Sequence, residues 1–181
     1  FSMLISVKPG SIPAMSFVPV THVRLLTVCR EAKPERTSQS GDAGRELLEK
    51  GRIQSRDAGH LLKSSGMLPE LVLCSPLMRA RQTADELCAA AGLPAPTVVP
   101  WLAAGMHPDT ALNELTGYRE FSRVAIIGHE PDLSELIQWL MGSRGNSVEV
   151  KKGTIACIRI YPPAKLGTLL FLAPPAIVGD L

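Results

Sequence analysis

Net charge is almost absent from this chain: 19 Lys and Arg stand against 17 Asp and Glu, a formal +2. That balance provides no bulk electrostatic footprint for nucleic acid or an anionic membrane, though it leaves room for a local basic pocket. Paired cysteines are missing too. Cys29, Cys74, Cys88 and Cys157 form no C-x-x-C clamp, which argues against a zinc site. Cys74, Cys88 and Cys157 lie in apolar runs, where a free thiol behaves as a small hydrophobe. The reading is a reduced, cytoplasmic protein. No stretch reaches the ~20 uninterrupted apolar residues of a membrane span, and the apolar tail from Leu166 to Val178 is broken by Pro174 and Pro175. The chain starts at Phe1, and its first twenty or so residues show no Arg-rich leader and no small-residue cleavage pattern. Pro9, Gly10, Pro13 and Pro19 make residues 1–22 an expected irregular lead-in.

What remains is ordinary globular sequence. Hydrophobic residues make up 45% and charged residues 20%, which excludes dominant disorder and collagen-like or coiled-coil chains. A length of 181 residues fits one domain, expected over residues 23–181. Val23 to Cys29 reads as a buried strand. Residues 31–46 read as a loop. Leu47, Gly51, Gln54, Ala58, Leu61 and Ser65 share one face, which predicts a helix from Leu47 to Ser65, stopped by Gly66. Leu71 to Cys74 is a second strand. Ser75 then looks like an N-cap, with Pro76 in the first helical position. Leu77, Ala80, Ala84, Leu87, Cys88 and Ala91 form an apolar stripe that Gly92 ends.

Thr97 to Val99 predicts a third strand and Pro108 to Leu115 a helix. Arg123 to His129 is the fourth strand. Pro131 and Asp132 open a helix carrying Leu133, Leu136, Ile137 and Leu140. After a polar loop from Gly142 to Lys152, Thr154 to Tyr161 and Thr168 to Leu172 read as a hairpin. Strands alternating with helices predict a three-layer α/β/α sandwich with a mostly parallel sheet and an antiparallel or mixed edge.

In such folds ligands bind beyond the carboxyl ends of the strands. Arg30 and Glu31 follow the first strand. Ser75, Pro76 and then Arg79 follow the second. His129 and Glu130 follow the fourth. Two arginines, a histidine and two helix N-termini therefore converge on one edge. Helix N-termini favour anions, and arginine forks match phosphate oxygens. The residues themselves point to a phosphate pocket, with no metal and no organic cofactor.

These segments also resemble a known family. Val28-Cys29-Arg30-Glu31-Ala32 is similar to the Arg-His-Gly or Arg-His-Ala motif of the histidine phosphatase superfamily, the phosphoglycerate mutase-like group. Arg45 to Gly51 resembles its R-P-L-T-x-x-G segment, with Glu46 for Pro and Leu48 for Thr. Ser75-Pro76-Leu77-Met78-Arg79-Ala80-Arg81-Gln82-Thr83-Ala84 resembles S-P-x-x-R-A-x-Q-T-A. Gly128 to Leu133 resembles the second-histidine segment. The compact size is similar to the SixA branch of phosphohistidine phosphatases, and the resemblance runs from Val23 to Pro175. It implies that Arg30, Arg79 and His129 hold a phosphoryl group, with Arg45 as a rim contact. It also implies a phosphorylated protein or small phosphorylated molecule as partner; oligomeric state is left open. In the family the residue after the motif arginine is the histidine that accepts the phosphoryl group. Here that position holds Glu31.

The departure changes the chemistry. A carboxylate can accept a phosphoryl group, but it repels an anionic ligand. At ~4 Å two like charges cost about 4 kcal/mol at an effective dielectric of 20. Glu31 is therefore expected to pair with an arginine and to impair or alter catalysis. His129 standing in as acceptor is the other route to activity. The resemblance thus implies either a SixA-like phosphatase with impaired catalysis or an inactive pseudophosphatase serving as a binding or regulatory module.

The plainer readings are a surface ion pair for Arg30 and Glu31, a helix cap for Ser75, a solvated Arg79 or Arg81, and a rim histidine at 129. His22, His60 and His107 have no partner pattern. Glu130 and Asp109 are the candidates for a general acid. Cys74 to Arg79 is one residue short of a Cys-x5-Arg phosphatase loop, and Pro76 removes an N–H that such a loop uses, so cysteine chemistry is set aside.

Overall fold

The computed structural model describes residues 24–39 and 41–178. The expected lead-in over residues 1–22, and His22 with it, lies outside the described residues. Six strands form one mixed sheet: β1 (Arg24–Arg30), β2 (Leu71–Cys74), β3 (Thr97–Val98), β4 (Arg123–Gly128), β5 (Ile155–Tyr161) and β6 (Ala164–Ala173). Their order is β3-β2-β4-β1-β5-β6. The first four are parallel to one another, and β5 and β6 join as an antiparallel edge beside β1.

Alternating side chains of the central strands feed two cores, as the pleat requires. Val124 and Ile126 of β4 pack with Leu26 and Val28 of β1 against α3 (Pro108–Thr116) and α4 (Asp132–Leu140). Ala125 and Ile127 pack with Cys29 against α1 (Glu49–Ser64) and α2 (Met78–Ala91). The result is helix, sheet, helix: the expected three layers. Leu62, Leu87, Leu115 and Leu136 are fully buried, each worth about 2 kcal/mol of hydrophobic stabilisation.

Two glycines let α1 approach its neighbours. A Cβ on Gly59 would meet the Leu87 carbonyl oxygen at 2.5 Å, and one on Gly51 would meet that of Lys33 at 2.5 Å. The first keeps α1 and α2 in contact. The second presses α1 onto the loop that follows β1.

Several boundaries differ from expectation. Leu47 is not helical: it bridges to Pro34, and its N–H donates to Gln82 Oε1 at 2.7 Å, so α1 starts at Glu49. Ser75 and Pro76 do not open α2, which starts at Met78 after Leu77. The Ser75 hydroxyl is engaged across the sheet instead. β6 begins at Ala164, earlier than Thr168, because Tyr161 pairs with Ala164 directly across a Pro162-Pro163 turn. The exposed Lys165 and Leu166 carry no alternation that would have revealed it. Short 3-10 turns at Asp42–Gly44 and Pro100–Leu102 and a C-terminal α5 (Pro175–Val178) were not expected. Gly66 and Gly92 do end α1 and α2, both at positive φ.

Candidate active site

The carboxyl ends of β2, β4 and β1 lie side by side, and the start of antiparallel β5 joins them. Arg30 is the last residue of β1. Its N–H donates to the Thr154 carbonyl at 3.1 Å, and the Glu31 N–H donates to the Gly128 carbonyl at 3.0 Å. From the other side, the Gly153 N–H donates to the carbonyls of Arg30 and Glu31 at 3.2 and 3.4 Å. The Ala32 N–H donates to Thr83 Oγ1 at 3.1 Å, and that hydroxyl donates to the Arg79 carbonyl at 2.8 Å. Position 31 is thereby fixed to β4, to α2 and to the turn before β5.

The side chains converge. Glu31, Arg79 and His129 are all buried. Glu31 Oε1 lies 3.5 Å from Arg79 Nε, and Oε2 lies 3.1 Å from His129 Nδ1. The second contact is close but off-line, so neither Oε2 nor Nδ1 has a hydrogen-bond partner. His129 Nε2 lies 2.7 Å from Ser75 Oγ. Arg30 Nη1 donates to the Val150 carbonyl at 2.6 Å, and its buried Nε is unpartnered. Arg79 Nη1 donates to the Asp42 carbonyl at 2.9 Å and sits 3.0 Å from Asp42 Oδ2.

Three of the buried side-chain atoms without a partner, Arg30 Nε, Glu31 Oε2 and His129 Nδ1, thus belong to this one place among the described residues. Such orphans are uncommon in folded proteins and call for an explanation. Arg30 Nε is a donor and His129 Nδ1 a donor or acceptor, which suit an oxyanion; Glu31 Oε2 accepts only and does not.

Ser75, His129 and Glu31 also form a hydroxyl–imidazole–carboxylate series. Ser75 is fully buried, and its Oγ already accepts the Leu77 N–H at 3.3 Å. A hydroxyl without access to solvent is a poor nucleophile; here it orients the imidazole.

The structure brings Arg30, Glu31, Arg79 and His129 together. Arg45 stands one step back. Its Nη1 donates to Asp42 Oδ1 at 2.8 Å and its Nε to the Glu35 carbonyl at 2.7 Å. The Arg45 hydrogen bond, then Arg79, holds the Asp42 carboxyl below its usual range. Sequence reasoning missed Asp42, which lies in a patternless loop. It also missed the Val150 carbonyl, since a backbone group leaves no trace in sequence. Thr83 and Gln82 were legible only as parts of a motif. Asp109 is exposed at the start of α3. Glu130 is half-buried, and burial raises its carboxyl despite the N–H of Ser134 that it accepts. His60 and His107 are exposed.

Cysteine chemistry finds no support. Burial, and then Glu31, pushes the Cys29 thiol up to about 12, and burial followed by Asp85 pushes Cys74 up to about 11. All four cysteines are free and buried. Among the described residues no group of His, Cys, Asp and Glu could hold a metal ion, and no helix is long and apolar enough to cross a membrane.

Comparisons with known proteins give the family and the fold. Residues 28–101 match the family model described as the histidine phosphatase superfamily, branch 1. An uncharacterised protein of Picosynechococcus is 32% identical over 132 residues, covering 69% of this chain and 78% of that protein. The protein histidine phosphatase SixA, solved with tungstate, superposes with a TM-score of 0.77 at 23% identity, over 84% of this chain and 97% of that one. The alpha-ribazole phosphatase of Shigella flexneri superposes at 0.67 and 22% identity, over 84% and 98%. A phosphoserine phosphatase mutant of Entamoeba histolytica, in complex with phosphoserine, does so at 0.65 and 15% identity, over 84% and 98%.

Proposed function

The chain belongs to the histidine phosphatase superfamily and has a SixA-like fold, and from that premise we propose that it is a SixA-like phosphoryl-binding protein whose hydrolytic turnover is impaired by Glu31. One observation carries the reading: the Glu31 carboxylate lies between Arg79 and His129, 3.5 Å from one and 3.1 Å from the other.

Arg30, Arg79 and His129 are the phosphoryl-binding groups. The free Nε of Arg30 supports this, since a phosphate oxygen would satisfy it. Arg45 holds the rim through Asp42. Glu31 stands at the acceptor position, where a histidine would take the phosphoryl group as phosphohistidine and then release it to water. A carboxylate there brings a negative charge against an incoming dianion, and Arg79 is partly neutralised before any ligand arrives. Removal of a nucleophile commonly costs several orders of magnitude in rate. Glu130, half-buried with a raised carboxyl, is the group suited to protonate a leaving atom.

The fold alone does not select the substrate, since its neighbours are named for protein histidine, alpha-ribazole and phosphoserine phosphatases. Phosphohistidine in a protein is the first substrate to test, since the SixA structure has the higher TM-score of these. The second reading, a pseudophosphatase that binds without turnover, rests on the same position of Glu31.

The test is hydrolysis of an aryl phosphate and of a phosphohistidine peptide by the native chain, Glu31→His and His129→Ala. The expected result is near-background turnover by the native chain and a gain of about a hundredfold or more in Glu31→His. Native turnover abolished by His129→Ala would instead make Glu31 or His129 a working acceptor. Silence in both chains, with tungstate bound, would leave the binding module.

A further inference from the structure

Beside the site, a cleft of about 630 Å³ runs between the first half of α1, the turn before β5 and the start of α5. Lys50, Lys151 and Lys152 line it, with Ile53 and Pro174 as apolar floor and Asp57 as its one carboxylate. None of these three lysines forms an ion pair among the described residues. Ile53 is 47% exposed and gives the cleft apolar surface.

The cleft adjoins the site along the chain, and Lys152 lies within electrostatic reach of Arg30 and Glu31. Lys151 and Lys152 follow Val150, whose carbonyl holds Arg30, and precede Gly153, whose N–H holds the backbone of Arg30 and Glu31. Unpaired lysines over an apolar floor complement carboxylates flanking an apolar residue. Nucleic acid would want a longer cationic stripe and no floor of this kind.

We propose that this cleft docks an acidic, extended segment of the phosphorylated partner protein, next to the residue whose phosphoryl group enters the Arg30, Arg79 and His129 pocket. The proposal rests on the phosphoryl-binding reading above and names its partner: a protein with an Asp- and Glu-rich stretch around an aliphatic residue.

Fluorescence anisotropy on the full chain tests it, with two labelled peptides of equal length. One carries Asp and Glu around a central Leu and a nearby His. The other carries Asn and Gln instead. The acidic peptide should bind about tenfold or more tighter, and raising salt from about 50 to about 300 mM should weaken it. Lys151→Glu with Lys152→Glu should cost about tenfold or more, and Ile53→Ala a few-fold. Arg119→Glu, on the turn that enters β4 at the opposite end of the sheet, should change nothing. These side chains are exposed, so the variants keep the native Tm.

Inorganic phosphate is titrated into the same samples and should bind the native chain and, more weakly, the lysine variant, whose added negative charge lies near Arg30 and Arg79. Equal affinity for the two peptides overturns the cleft proposal whatever phosphate does. So does an equal loss in Arg119→Glu. Self-association that disappears in the lysine variant overturns it as well, by making a second copy the occupant. Acidic peptide bound with phosphate unbound keeps the cleft and refutes the phosphoryl pocket.

Discussion

A single carboxylate at position 31 sets the balance of the site, and its removal should pull stability and binding in opposite directions. Glu31→Gln leaves the buried Arg79 with Asp42 alone, and breaking a buried pair costs up to about 3–5 kcal/mol. The same change removes the like charge that a bound oxyanion would face. Tungstate should therefore bind about tenfold or more tighter by calorimetry, while the Tm falls; a variant that is both less stable and weaker in binding would contradict this. Glu130 gives a second, pH-resolved case. Burial holds its carboxyl above the ordinary 4.5, so the folded chain binds that proton more tightly than the unfolded chain. Its charge costs stability at neutral pH, and the cost disappears once pH falls below 4.5. Glu130→Gln keeps an acceptor for the Ser134 N–H, so it should raise the Tm near neutrality, with a gain that shrinks on acidification. A gain that is constant with pH would refute the assignment. At this scale the sequence was informative about charge-bearing residues at strand ends, because Arg30, Glu31, Arg79 and His129 are placed by strand endings that apolar runs reveal. It was silent about Asp42, whose loop has no periodicity.

Elements hold those residues through a few non-periodic contacts. Thr83 is one: its hydroxyl accepts the Ala32 N–H and donates to the Arg79 carbonyl. Thr83→Val keeps the shape and leaves a buried N–H without a partner, a loss of about 1–3 kcal/mol. Urea unfolding would show it as a lower midpoint at constant slope. Gly59→Ala is a cleaner test of the α1–α2 contact, since its Cβ would lie 2.5 Å from the Leu87 carbonyl oxygen. It should cost about 1–3 kcal/mol, and an unchanged midpoint would mean that the two helices separate freely. Strands and helices with strong periodicity were legible to within a residue or two. The misplaced starts of α1 and α2 share one cause. Leu47 and Ser75 look like helix openers locally, but Gln82 and His129 claim their hydrogen bonds from a distance. The edge strand β6 was shortened because Lys165 and Leu166 face outward and repeat no pattern.

The whole molecule buries all four thiols between its layers or within its sheet. With Cys29 pushed up to about 12 and Cys88 to about 11, the native chain should resist an aromatic disulfide reagent at neutral pH. Reaction should then follow opening of the fold, with a rate that rises steeply across the urea transition. Prompt labelling of native protein would show that the α1–α2 layer opens on its own. The three-layer frame was legible from the alternation of strands and helices, whereas the lysine cleft was not, because it joins α1 to a turn more than ninety positions later, a separation that only folding closes. The clamping of residue 31 from β4, α2 and the turn before β5 has one further consequence. A backbone tethered on every side presents whatever side chain it carries at the same point, so position 31 behaves as a socket. Asp, Cys or His installed there would be displayed to the same Arg79 and His129, and differences in their reactivity would then report on the intrinsic chemistry of each group instead of on its placement.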